Sequence, residues 1–147
     1  QCDRRQRQMC IRDSFYIYGL LDDVWINTKT DQLIVVDYKA TSKDGEVSLD
    51  APWQISYKRQ VEIYQWLLRK NGFDVQDTAY FVYCNAIKRD IAFENKLHFK
   101  TKLIGYKGDD SWIPSTIKKM KLCLDSDEAP SPSKNCEYCR YVIKANL

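Results

Sequence analysis

The strongest constraint on the fold is the segment LIVVDYKAT, residues 33–41, in which an apolar run ends in charged residues. Four consecutive apolar residues open it, a run typical of a strand buried inside a sheet. Asp37 and Lys39 follow directly, and burying either charge without a partner would cost several kcal/mol. Because strand side chains alternate, these two share one face and lie roughly 7 Å apart. The segment therefore predicts a core strand that ends in paired charges.

The preceding segment, FYIYGLLDDVWIN over residues 15–27, is rich in aromatic and β-branched residues and predicts a second strand. Only the polar segment TKTDQ separates it from the strand over 33–41, and such a connection is typical of a turn. The two strands are therefore predicted to pair as an antiparallel hairpin.

The turn decides which residues of the hairpin face each other. A turn centred on Lys29 and Thr30 pairs residues whose numbers sum to 59, which places Asp22 opposite Asp37. Asp23 then points to the other face of the sheet. Because side chains alternate, a slip of one residue would exchange the two neighbouring acids, so the choice of Asp22 depends on this turn.

Residues 53–72 are predicted to form a helix. Their apolar residues recur along one helical stripe, and Gly72 suits the position just past a helix end. Pro52 suits the first turn, with Ser48 or Asp50 as the capping residue. The other predicted elements are a loop over 42–52, a central strand over 78–86, an edge strand over 96–106 and a helix over 111–124.

The order β-β-α-β-β-α indicates an α/β fold with helices flanking a mixed central β-sheet. The length of 147 residues suits one domain, placed at 15–124, with a linker and a Cys-x-x-Cys tail over 125–147. No apolar run is long enough to span a membrane, no secretory signal is visible, and the cysteines are scattered. A cytoplasmic protein is therefore expected.

The paired charges at the end of the strand predict a metal site. Two carboxylates at cross-strand distance repel each other unless a cation lies between them. Oxygen ligands from Asp22, Asp37 and the Tyr38 backbone carbonyl would suit a hard ion such as Mg²⁺ or Mn²⁺. Lys39 could then stabilise charge on a phosphoryl oxygen or help deprotonate an attacking water. From the Asp-x-Lys triplet alone, a surface ion pair at a strand end remains the alternative.

The residues of both strands resemble the motifs of the PD-(D/E)XK nuclease superfamily, in its RecB-like, CRISPR-associated-exonuclease-like branch. That family has Gly-x-x-Asp, then an apolar strand that ends in Asp-Tyr-Lys. The matching residues, in order and spacing, are Gly19, Asp22, Asp37 and Lys39. The resemblance implies a restriction-endonuclease-like core, of which the first helix and first strand would be missing here. This fragment would then be N-terminally truncated, which could leave it inactive.

A third match lies on the predicted helix, where Gln60 and Tyr64 fit the Gln-x-x-x-Tyr signature of that branch. Residues four apart share one helix face. The resemblance implies a Mg²⁺- or Mn²⁺-dependent deoxyribonuclease of exonuclease type that hydrolyses phosphodiester bonds. In that role Asp22 and Asp37 would hold the metal, Lys39 would stabilise developing charge, and the helix pair would position the reacting groups.

A different class of function is a catalytically inactive domain of the same fold that binds DNA or organises a complex. Both strand acids and the lysine are present, which favours the enzyme. A third reading is an unrelated α/β protein with chance motifs. The expected partner is DNA, as single strands or duplex ends, with a helicase or other repair or CRISPR proteins alongside and no membrane. No glycine-rich phosphate loop is visible, so ATP use by this domain is not expected, and any helicase activity would belong to a partner.

Basic and aromatic residues give weaker signals. Lys43, Lys58 and Arg59 are predicted to contact DNA phosphates, although they also suit an ordinary solvated surface. His98 is predicted to have a surface role. The four tryptophans are predicted to pack in the core or at an interface.

The first fourteen residues need a separate interpretation. Residues 4–14, RRQRQMCIRDS, resemble the translation of a transposase-type sequencing-library adapter, so residues 1–14 are treated as an artefactual, non-native segment. That segment carries four arginines and two aspartates, and without it the net charge falls from +3 to +1. Net charge therefore does not predict nucleic-acid binding, and any such site must be local.

The tail raises the question of a metal cluster. Cys136 and Cys139 have the spacing of zinc or cluster ligands. The resemblance implies a [4Fe–4S] cluster, which relatives in the branch named above bind with four cysteines. One cysteine comes early in the chain, two form the Cys-x-x-Cys pair, and one follows that pair after about five or six intervening residues. Here that late position falls on Ala145 or Asn146, so the ligand set is incomplete. Cys84 and Cys123 are predicted to be core residues.

Overall fold

The computed structural model describes the backbone of residues 7–11 and all atoms of residues 15–88, 95–128, 130–133 and 135–145. The chain divides into two compact units, Gln1–Ile113 and Pro114–Leu147. The sequence placed this division after residue 124. None of the helices in the described ranges combines the length and the apolar character that crossing a bilayer requires.

A four-stranded mixed sheet forms the centre of the first unit. Its strands lie in the order β3-β4-β5-β6, with β4 and β5 parallel and both outer pairs antiparallel. The predicted mixed sheet and the predicted edge position of the last strand are therefore confirmed. The bounds are β3 Asp23–Ile26, β4 Leu33–Thr41, β5 Thr78–Ala86 and β6 Phe99–Lys107.

Helix α1, Ile55–Lys70, connects the two parallel strands, as a parallel connection requires. One turn of 3₁₀ helix, Pro52–Gln54, precedes it. Gly72 follows the helix with φ of 84°, a left-handed conformation that favours glycine, so the predicted helix end is confirmed. The predicted cap is wrong, because the side chain of Gln54, rather than that of Ser48 or Asp50, accepts a hydrogen bond from Ala51 N at 2.8 Å.

The core lies between α1 and one face of the sheet. Alternate residues of β4 and β5 point into it, and Val35, Val61 and Phe81 are fully buried there. This arrangement follows from the period of two along the strands and the apolar stripe along the helix. The same face carries Asp37 and Lys39 one and two pleats beyond Val35, where the core ends.

The single strand predicted over 15–27 is wrong, because the structure divides it into two. Strand β2, Phe15–Gly19, pairs antiparallel with β1, Arg7–Ile11, whereas β3 pairs with β4. The chain changes partners between these strands, and a continuous strand could not pair with both in this way. The break leaves Asp22 outside the ladder.

Helix α2 runs from Ile113, the last residue of the first unit, to Leu124, and helix α3 from Glu137 to Lys144. The Cys-x-x-Cys tail that follows the predicted linker therefore contains a helix that the sequence analysis missed. Cys136 lies at its N-cap, and its sulfur accepts a hydrogen bond from Cys139 N at 3.4 Å. The core positions predicted for Cys84 and Cys123 are wrong, since the former is half-buried and the latter exposed.

Candidate active site at the end of strand β4

The hairpin has the register that the turn predicted. Asp23 pairs with Val36 and Val24 with Val35, so residue numbers sum to 59 along the ladder. Asp22 directly precedes the ladder, and its Oδ2 accepts a hydrogen bond from Tyr38 N at 3.0 Å. This side chain takes the place of a strand partner for β4. The Asp22 carboxylate is also near enough to that of Asp37 to raise its pKa.

Asp37 is a buried acid with little compensation. Its side chain is 1% exposed, and neither carboxylate oxygen receives a well-formed hydrogen bond from the part of the chain that the structure describes. The Lys39 ammonium lies 2.6 Å from Oδ2, a distance that makes the contact an ion pair although its angle is poor for a hydrogen bond. Burial, reinforced by the charge of Asp22, raises the pKa of Asp37 despite the opposing effect of Lys39.

Three groups hold the Lys39 ammonium. Besides Asp37, it donates to Gln60 Oε1 at 3.3 Å and lies 4.5 Å from the centre of the Tyr57 ring. Both partners come from helix α1, one turn apart, so they reach the end of β4 from the same helix face. The lysine is thus fixed in position by the helix that covers the core.

The Gln60–Tyr64 pair on helix α1 also contacts Gly19 of the first strand motif. Gln60 Nε2 donates to Tyr64 Oη at 3.0 Å, and the Tyr64 ring packs against Gly19. A Cβ added at Gly19 would lie 2.5 Å from Tyr64 Cε1, closer than real Cβ contacts allow. Glycine is therefore needed there because an aromatic ring occupies the space of a side chain. A continuous series of contacts links Gly19, Tyr64, Gln60, Lys39, Asp37 and Asp22.

Asp23, the neighbour of Asp22, belongs to the other face of the sheet. Its Oδ2 accepts from Tyr38 Oη at 2.9 Å and from Trp25 Nε1 at 3.1 Å. Burial alone would raise the pKa of Asp23, but these hydrogen bonds and that of Val24 N lower it below its usual value. The two neighbouring acids therefore have different environments, as the alternation predicted.

The predicted phosphate contacts lie in different places. Asn85 holds the backbone of Lys43 through hydrogen bonds of 2.9 Å to its N and O, in the loop that follows β4. Lys58 and Arg59 instead lie over the rings of Tyr106 and Trp112, at 5.5 and 5.8 Å. Neither has a described contact with Asp37 or Lys39, and their role in DNA binding stays a prediction.

A second buried carboxylate was missed by the sequence analysis. Glu62 is 5% exposed, and it accepts hydrogen bonds from Tyr106 Oη at 2.6 Å, Asp109 N at 3.2 Å and Trp112 Nε1 at 2.7 Å. Burial and the hydrogen bond to Glu62 raise the pKa of Tyr106 to about 12, so its hydroxyl stays a donor at physiological pH. The signal available in the sequence was an acid within the apolar spacing of the helix, between Gln60 and Tyr64.

The donor atoms at the end of β4 fit a hard divalent cation. Asp37 supplies a buried carboxylate without hydrogen-bond donors among the described residues, and Asp22 supplies a second carboxylate beside it. Within the described ranges no three His, Cys, Asp or Glu side chains cluster as metal ligands, so a site here rests on two carboxylates completed by a backbone carbonyl or water. The same finding leaves Cys136 and Cys139 as a pair without a third such ligand.

The fold and the site can be compared with known proteins. The family model of the PD-(D/E)XK nuclease superfamily matches residues 4–143. The match begins inside the segment interpreted as a translated adapter, and that interpretation stays a prediction. The comparison with curated proteins and the comparison with solved structures each gave no match. A mixed four-stranded sheet whose parallel strands are connected by helix α1 agrees with the restriction-endonuclease-like fold of that family. The chain therefore belongs to the PD-(D/E)XK nuclease superfamily.

Proposed function

We propose that this protein is a divalent-metal-dependent DNA nuclease of the RecB-like exonuclease type, which hydrolyses phosphodiester bonds. The observation that carries the proposal is the state of Asp37. Its carboxylate is 1% exposed, lacks well-formed hydrogen bonds from the described residues, and lies beside both Asp22 and Lys39. Such an arrangement is unfavourable for folding, and groups with perturbed pKa values of this kind cluster at functional sites.

The metal would be Mg²⁺ or Mn²⁺, held by the carboxylates of Asp22 and Asp37 and by the Tyr38 carbonyl. When bound, it would polarise the phosphate and lower the pKa of a bound water. A cation would also remove the repulsion between the two acids that raises the pKa of Asp37. The donor set is all oxygen, which is what these hard ions prefer.

The remaining roles in catalysis would come from side chains that are held in fixed positions. Lys39 would hold its ammonium against a phosphoryl oxygen and so favour the charge that develops there. Gln60 and the Tyr57 ring keep that ammonium at the end of β4. Tyr64 in turn orients Gln60. A group fixed in advance loses less entropy on reaching the reactive geometry, which is why this order among side chains favours catalysis.

The proposal is tested by Mn²⁺-dependent cleavage of a fluorescent DNA oligonucleotide. We expect Asp37→Ala and Lys39→Ala to abolish cleavage, and Asp23→Asn to leave it near the wild-type rate. Asp23 is the matched control because it is an acid of the same hairpin on the opposite face. If all the variants cleave at equal rates, the activity does not come from this site and the proposal is wrong.

Metal binding is tested separately by thermal unfolding. We expect Mg²⁺ or Mn²⁺ to raise the Tm of the wild-type protein, because a ligand that binds only the folded state stabilises it. The shift should vanish in Asp22→Asn and persist in Asp23→Asn. A shift that is lost in Asp23→Asn instead would assign the metal to the other face of the hairpin.

The second candidate function is a non-catalytic domain of the same fold that binds DNA or organises a complex. The observation in its favour is the 2.6 Å ion pair, since Lys39 already offsets part of the Asp37 charge without any metal. DNA binding that is insensitive to Asp37→Ala, with no cleavage in Mg²⁺ or Mn²⁺, would support it over the nuclease.

A further inference from the structure

The segment that leads into helix α1 exposes a tryptophan next to the site. Trp53 is 62% exposed, whereas Trp66 on the same helical segment is 4% exposed. Exposure therefore excludes the core position for Trp53 and leaves the predicted interface position untested. An indole joins a large apolar face to a polar N–H group, which suits it to binding where it lies beside a site.

The turn that carries Trp53 is held firmly. Gln54, 5% exposed, donates to Ser48 O at 2.6 Å and to Tyr83 Oη at 3.1 Å. Its Oε1 accepts from Ala51 N at 2.8 Å, and Ser56 Oγ donates to Trp53 O at 2.9 Å. The hydrogen bonds of the buried Gln54 side chain fix the backbone next to Trp53. The position of the indole at the surface is therefore set before any ligand binds.

Trp53 is connected to the site through one more ring. Its indole meets Tyr57 edge-on with ring centres 5.4 Å apart, and the Tyr57 ring lies 4.5 Å from Lys39 Nζ. These two distances place the indole within about 10 Å of the ammonium. An aromatic face and a fixed cation thus stand side by side.

We propose that Trp53 forms a stacking platform for an unpaired base of the DNA, with Tyr57 between the indole and Lys39. The inference rests on the nuclease function proposed above and adds a substrate-positioning residue to it. A base stacked on Trp53 would bring its neighbouring phosphodiester toward Lys39. A base inside a duplex offers no free face, because both of its faces already stack on neighbouring bases.

Charge favours this occupant over an apolar peptide. The Lys39 side chain is 17% exposed next to the Tyr57 ring, and Lys43 follows in the loop that Asn85 ties to the sheet. Loop 42–52 also carries three acids, of which Glu46 is paired with Lys102, so the favourable charge near Trp53 is that of Lys39. Cations beside exposed aromatic rings are the combination with which proteins bind single strands, since phosphates and bases are satisfied together.

The experiment measures binding without cleavage, by fluorescence anisotropy of a labelled oligo(dT) and of a blunt hairpin duplex in EDTA. We expect Trp53→Ala to weaken oligo(dT) binding about 5- to 100-fold and Trp53→Phe to restore most of it. Duplex affinity should change less than about twofold. Trp25→Ala is the matched control, because Trp25 stacks on Tyr80 on the face of the sheet away from Asp37.

The outcomes separate this inference from the nuclease proposal. If wild type cleaves DNA and Trp53→Ala leaves the oligo(dT) affinity unchanged, the platform is wrong and the nuclease stands. If Trp53→Ala weakens oligo(dT) alone but no variant ever cleaves, the platform stands without the nuclease. Equal weakening of both DNAs, or no binding of oligo(dT) by wild type, would overturn the platform. Circular dichroism of each variant checks that it is folded.

Discussion

Two buried carboxylates of this protein differ in how they are compensated. Glu62 on α1 receives three hydrogen bonds, from two aromatic side chains and a backbone amide. Asp37 on β4 is buried more deeply, yet among described residues it has only the ion pair with Lys39 and a second acid nearby. A buried charge that serves stability is expected to be fully hydrogen-bonded. The difference favours a structural role for Glu62 and agrees with the ligand-binding role proposed above for Asp37.

The largest expected effect is on catalysis. Asp37→Asn should lower the cleavage rate at least about 100-fold, since one preorganised charged group typically accounts for that much. Glu62→Gln should change the rate per folded molecule by less than about threefold. The measurement is single-turnover cleavage in Mn²⁺ after correction for the folded fraction. A loss in Glu62→Gln equal to that in Asp37→Asn would remove the distinction between the two acids.

Stability should respond in the opposite sense. Glu62→Ala leaves three donors without their acceptor and should lower the free energy of unfolding by about 2–3 kcal/mol. Asp37→Asn removes a charge that the fold disfavours, so metal-free protein should be unchanged or more stable. Urea unfolding in EDTA measures both. Marked destabilisation by Asp37→Asn would show that its ion pair with Lys39 is structural.

A substitution at Gly19 should alter the site indirectly, through Tyr64. Gly19→Ala places a methyl group against the Tyr64 ring and should displace the pair that orients Lys39. We expect a loss of about 10-fold in cleavage rate. Gly105→Ala is the control, because its nearest neighbour would be 3.4 Å away. Equal rates in wild type and Gly19→Ala would argue that Tyr64 has no positioning role.

The raised pKa of Asp37 predicts how stability depends on pH. A neutral Asp37 favours the fold, so this contribution is complete below the ordinary aspartate pKa of about 3.9 and is lost as pH rises through the raised folded value. Asp22→Asn removes one of the causes of the shift, so the loss should move to lower pH. Tm measured against pH in EDTA, relative to Asp37→Asn, tests this. No movement in Asp22→Asn would mean that the two acids do not interact.

The smallest effect concerns the basic residues. Lys43→Ala should reduce the slope of log affinity for single-stranded DNA against log salt by about 0.7, the effect of one phosphate contact. Lys58→Ala should leave the slope unchanged, because its ammonium lies over the Tyr106 ring. The reverse result would place the DNA along the side of α1 that carries Glu62.

Much of the site was accessible from local pattern, because its chemistry depends on short-range geometry. The alternation of β4 and a five-residue turn were sufficient to place Asp22 beside Asp37, and the observed register agrees. The spacing of four on the helix was sufficient to pair Gln60 with Tyr64. Strand and helix periods are properties of the backbone, so they can be read before any packing is known.

Other features depend on which elements pack together. The segment 15–27 divides because β2 and β3 have different partners, which no local propensity could indicate. Among the described residues, the donors to Glu62 lie 44 to 50 residues farther along the chain. Trp53 is exposed in the 3₁₀ turn and Trp66 is buried within α1, although the sequence places both in one predicted helix. Burial and hydrogen bonding between distant residues arise only when the chain is folded, and these decide which charges are compensated and which stay open for a ligand.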